Sequence, residues 1–147
     1  MYHHLLLIIH LLAATVWIGG HLILAIRYLP VAIKTKDLDN LKSFKDKFEP
    51  VGIPSLTTLV ITGILMAYDY DLTLVKWFSF SSGIEKVISI KIILFFISLI
   101  LAISAQLYIF PKLTASKHHY VTILIIGVTF IAISMLVLGS LIRIGGI

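Results

Sequence analysis

The chain reads as an all-α integral membrane protein, a four-helix bundle with its N- and C-termini on the outer (periplasmic) side, and three observations predict this. Hydrophobic residues fill 59% of the 147 positions and charged residues 13%, with a mean hydropathy of +1.07, whereas soluble domains hold roughly 45–50% apolar residues. The apolar residues form four runs, at about 5–33, 51–69, 87–111 and 120–144, and about 20 helical residues suffice to cross a hydrocarbon core of ~30 Å. Basic residues gather between runs, with Arg27, Lys34, Lys36, Lys42, Lys45 and Lys47 around the first connection and Lys112 and Lys117 around the third. By the positive-inside rule those connections face the cytoplasm, which makes the chain a multi-pass protein of the inner (cytoplasmic) membrane.

Residues 1–147 then form one four-span domain, with nothing left over for a soluble one. The lipid bilayer is its first expected partner. No nucleic acid is implied, because the net charge of +5 sits where topology requires it. The absence of cysteine removes disulfides, thiolate metal sites and iron–sulfur clusters from the possible chemistries. The first run lacks a basic leader and a small-residue cleavage site, and so reads as a retained span.

The first span carries the most information. His3, His10, Ala14, Trp17, His21 and Tyr28 recur at steps of seven, four, three, four and seven, which places them on one helical stripe. The other faces are Leu, Ile, Val and Ala and suit lipid. A histidine inside a span points to function, because its imidazole needs a partner or a metal.

Residues 34–50 form a cytoplasmic amphipathic connection, with Leu38, Leu41, Phe44 and Phe48 at a period near 3.6. Pro50 and Pro54 are expected to end it and open the second span. In that span Ser55, Thr58, Thr62, Met66 and Asp69 share a face beside Gly63. Hydroxyls and glycine there serve close packing, while Met66 is a soft metal ligand and Asp69 a partner for a cation. The outer connection holds Trp77, Phe78 and Phe80, which suit headgroup anchoring, a lid or a quinone-facing surface.

The third span sets Lys91, Ser98, Ala102 and Ala105 on one face, with Gln106 near the inner end. Lys91 either snorkels outward or meets a carboxylate, from Asp69 or from a ligand such as a haem propionate. The fourth span opens on His118, His119 and Tyr120 and brings Gly127, Ser134, Met135, Gly139 and Ser140 before Arg143.

Sorted by depth, the polar residues make two layers. His10, Met66, Asp69, Lys91 and the deeper Met135 lie toward the outer face; His21, Gln106, His119 and Tyr28 lie toward the inner one. His10 and His21 are eleven residues apart, about 16 Å along a helix, too far to share one metal. A b-type haem needs one or two axial side chains from a helical bundle. The candidate pairs are His10 with Met66 outside and His21 with His119 inside, with Trp17 against the macrocycle and Lys91 or Arg143 on the propionates. The N-terminal Met1-Tyr2-His3 offers a second chemistry, since amine, two amides and the His3 imidazole make a square-planar set for copper, assisted by His4.

The stretch HLLAATVWIGGHLILAIRYLP, with its histidine, a tryptophan seven residues on and a Gly-Gly pair before a proline, resembles the opening of the CopD-like (copper resistance D) membrane domain. Thr62-Gly63 and the Lys91 helix ending in Phe110-Pro111-Lys112-Leu113 extend the likeness over about three spans. The related HemJ-like protoporphyrinogen oxidases are similar in the His-to-Trp spacing and in a lysine early in the third span. The resemblance implies copper handling on one side and haem-dependent oxidation on the other. Copper transport favours Met and Cys ligands in series, and only Met66 and Met135 lie within spans. The expectation is therefore a haem-binding redox protein, holding one or two haem b groups and taking electrons from a quinol or porphyrinogen. A copper-binding or copper-import protein served by a copper carrier is the alternative. A structural or assembly subunit, in a homodimer or larger membrane complex, is the third reading.

Overall fold

The computed structural model describes residues 1–109 and 118–147. Four helices are long and apolar enough to span a membrane: α1 (Tyr2–Thr35), α2 (Asp39–Asp69), α3 (Gly83–Ile109) and α4 (His118–Ile144). No strand occurs among the described residues. The Phe110-Pro111-Lys112-Leu113 segment and Lys117 lie outside them, as does the end of the expected third span at 111.

Each helix begins or ends for a local reason. In α1 the turn Leu24–Tyr28 is π-helical, and the helix stops where Lys36 turns left-handed at φ 55°. Thr35 and Asp37 then tie the two-helix corner, since Asp37 N donates to Thr35 Oγ1 at 3.3 Å and Asp39 N to Asp37 Oδ1 at 2.9 Å. At the start of α3, Ser82 and Glu85 form a reciprocal capping box. Glu85 also gathers Ser79 and the Ser81 backbone, which folds the preceding loop onto the helix. Trp77 joins that loop from the other side, donating its indole N–H to the Leu72 carbonyl at 3.1 Å.

One element differs from the expectation. Pro50 and Pro54 lie inside α2, which runs unbroken for 31 residues. Each proline removes one backbone hydrogen bond and crowds the carbonyl four residues back. The carbonyls deprived of a donor belong to Asp46 and Pro50, both exposed at the lysine-rich end, where water or headgroups reach them. Of the expected connection at 34–50, residues 34–35 end α1, 36–38 form the corner, and the rest, from Asp39 on, is the opening of α2, continuous with the span.

Packing of apolar side chains in lipid gains little from the hydrophobic effect, so close fit and small residues decide which helices meet. The closest seam joins α1 to α2, antiparallel, and α4 packs on both α1 and α3. The lateral order is therefore α2, α1, α4, α3. Midway along the bundle, Ala14, Trp17 and Ile18 of α1 close on Ala132 of α4. Near the connection end, Leu29, Ala32, Leu38 and Leu41 close on Val121 and Ile125. Between these clusters the Phe48 ring fills a notch left by two glycines, since a Cβ on Gly20 or Gly52 would fall 2.1 or 2.6 Å from its atoms. Phe44 stacks on Phe48 at 5.8 Å, and Tyr28 meets Phe44 at 4.6 Å. A side-chain link between α2 and α3 is made at this same end, where Gln106 donates to Glu49 at 2.6 Å and Glu49 pairs with Lys45 at 2.9 Å.

Candidate functional site

Two polar rungs fix the register of α1 against α2. His3 Nδ1 lies 2.7 Å from Asp69 Oδ2, and seven residues along each helix His10 Nδ1 lies 2.8 Å from Thr62 Oγ1. The ring of His10 is half-buried, while Thr62 is 5% exposed. Gly63 lies beside the imidazole, whose Cε1 would be in ordinary contact, 3.5 Å, with a Cβ there.

The proton positions at this rung follow from the threonine. Its hydroxyl donates to the Thr58 carbonyl at 2.6 Å, the back-bond common to helical threonines. A hydroxyl has one proton, so the Thr62 oxygen accepts from His10 Nδ1–H. The neutral ring then carries its lone pair on Nε2, the form in which imidazole ligates a metal. An axial histidine is commonly oriented in this way, by a hydrogen bond to its other nitrogen.

Lys91 completes the site from the opposite side of the bundle. Its Nζ stands 3.4 Å from where a Cβ on Gly139 would be, on the α4 side of the bundle. Ion pairs among the described residues join His3 to Asp69 and Lys45 to Asp46 and Glu49, and none involves Lys91. Asp69, a partner that the sequence offered to Lys91, is held by His3, whose ring also meets Tyr70 edge-on at 5.5 Å.

The remaining candidates are dispersed. Met66 is half-buried on α2, one turn beyond Thr62, and the register sets it level with Leu6 rather than with His10. Trp17 is 7% exposed within the α1–α4 seam and meets the His21 ring edge-on at 4.9 Å, so packing accounts for it. The His21 carbonyl accepts from Thr129 Oγ1 at 3.4 Å, which puts His21 ten residues, about 15 Å, along α4 from His119. His119 is exposed, and its ring lies tilted against that of His118 at 4.0 Å. The expected inner pair of His21 with His119 is therefore not brought together. Gln106, assigned to the same layer, is engaged by Glu49. Arg143 is exposed in the last turn of α4, one turn past Gly139. His4 is exposed, and Tyr2 and His3 lie in the first turn of α1, with the His3 ring on Asp69 rather than folded back on the amine.

Among the described residues no group of three or more His, Cys, Asp or Glu side chains converges to hold a metal ion. Two residues that adjoin the site, Thr62 as the orienting acceptor and Gly139 as the neighbour of Lys91 Nζ, escaped the sequence reading as such. Their signal was present only as small or hydroxylated positions on a helix face. Comparison of the chain with protein-family models, with curated proteins and with solved structures finds no match in any of the three.

Proposed function

We propose that the chain is a multi-pass membrane haem protein of b type, with His10 as an axial ligand, that passes electrons between a membrane-soluble donor and an acceptor. The observation that carries this reading is the His10–Thr62 rung, which holds the His10 imidazole by its Nδ1 inside an apolar span. The choice between the two chemistries implied by the CopD-like and HemJ-like resemblance turns on how many ligands the protein must supply. A copper ion takes three or four donors from its surroundings, and no such cluster accompanies His10 among the described residues. A haem brings four ring nitrogens of its own and asks for one or two side chains. A single oriented imidazole fits the second demand.

In this reading Thr62 fixes the plane of the His10 ring and makes Nε2 a better electron donor. Bound haem supplies one-electron redox chemistry. A quinol or a porphyrinogen, both lipid-soluble, is the class of donor that reaches a site within the bilayer. The lysine-rich end of the bundle faces the cytoplasm, and both termini face the outer side.

The test is a dithionite-reduced minus air-oxidised spectrum of the protein purified in mild detergent from haem-replete cells, with a pyridine haemochrome assay. Sharp α and Soret bands at about one haem per chain are expected. A featureless spectrum contradicts the proposal and brings copper binding forward, which metal analysis after dialysis would then detect.

A further inference from the structure

We propose that Lys91 is the receptor for a carboxylate carried by the ligand, so that the group held at His10 is recognised as an acid as well as a metal centre. This rests on the haem reading above and specifies what the site demands of its ligand.

The argument begins with where the ammonium goes. A lysine within a span usually extends toward the nearer headgroups, which relieves the cost of burying its charge. Lys91 does otherwise. The start of α3 meets the end of α4 where Gly83 contacts Gly145 and Gly146. Eight residues along α3 from Gly83 is Lys91, and eight residues back along α4 are Val137 and Leu138. Its Nζ stands beside Gly139, essentially level with its own backbone. The side chain thus points across the bundle rather than out of it, onto the surface of α4 at Gly139.

An ammonium held there needs an anion, and the protein provides none. No described carboxylate pairs with Lys91, and residues 110–117 contain no acidic residue. The nearest titratable side chains on the helices beside it are basic: His10 on α1 and, one turn past Gly139, the exposed Arg143 on α4. An unpaired charge in a half-buried position within a span is unfavourable until a counter-ion arrives. A ligand that satisfies the site must offer a metal to His10 and an anion to Lys91. Haem b has both, iron at its centre and carboxylates on its edge.

The experiment titrates the full-length protein, purified in detergent from haem-starved cells, with hemin and with hemin dimethyl ester, whose carboxylates are capped. Wild type is expected to bind the acid about tenfold or more tightly than the ester, a difference typical of one charge-assisted contact. Lys91→Met should bind both alike, near the wild-type affinity for the ester, and Lys91→Arg should keep the preference. A Lys91→Met protein that still prefers the acid tenfold overturns the inference while leaving His10 ligation intact. Failure of wild type to bind either compound overturns the haem reading itself. Thermal unfolding without ligand gives an independent readout, since removing an unpaired charge should leave Lys91→Met at or above the wild-type midpoint. A lower midpoint would assign the lysine a structural contact and overturn the proposal.

Discussion

At the scale of single residues, Thr62 decides which nitrogen of His10 is available. Its proton goes to the Thr58 carbonyl, its oxygen takes the proton of Nδ1, and the ring lone pair falls to Nε2. Thr62→Val keeps the shape and removes the acceptor, so hemin affinity is expected to fall roughly 10- to 100-fold, as when other orienting partners of metal-bound histidines are lost. Thr62→Ser should retain most of it, and a spectral titration distinguishes the two. Unchanged affinity in Thr62→Val would mean that the threonine does not set the tautomer. His10 was legible in the sequence because an imidazole on a stripe within an apolar run stands out. Its partner was not, because the facing register of two helices depends on packing that no single helix encodes. Lys91 was legible as a charge within a span, but its direction was not, since that depends on how α3 packs against α4.

At the scale of elements, the α1–α2 seam is defined by Phe48 seated between Gly20 and Gly52, with the histidine rungs above it. Gly20→Ala would drive a methyl into the ring, and overpacking of this kind costs about 1–3 kcal/mol. A lower unfolding midpoint in detergent is the expected result, with partial recovery when Phe48→Leu is added. Equal stability of Gly20→Ala and wild type would show that the ring moves aside freely. The Gly-Gly pair was visible in the sequence, yet its use was hidden, because Phe48 was placed in a separate amphipathic connection. That separation came from Pro50 and Pro54, residues that normally end a helix. They are tolerated because the carbonyls they strip lie at a wet end of the bundle.

At the scale of the whole molecule, the four spans were legible from hydropathy, whereas the lateral order α2, α1, α4, α3 was not, since lipid-facing and helix-facing apolar residues look alike in sequence. The order places His10 and Lys91 on helices that are not sequential neighbours and spreads His21, His119 and Met66 away from them. Orientation in the membrane is testable because the chain has no cysteine. Val75→Cys, at a position 92% exposed in the loop after α2, should react in intact cells with an impermeant maleimide, and Lys42→Cys only after lysis. The reverse pattern would invert the topology. The central claim is that His10 ligates the iron of a b-type haem, and haem content of His10→Ala beside His21→Ala and His118→Ala tests it most directly. All three proteins should fold and insert; the first should lose its reduced α and Soret bands while the others keep them, and full haem in His10→Ala would contradict the account.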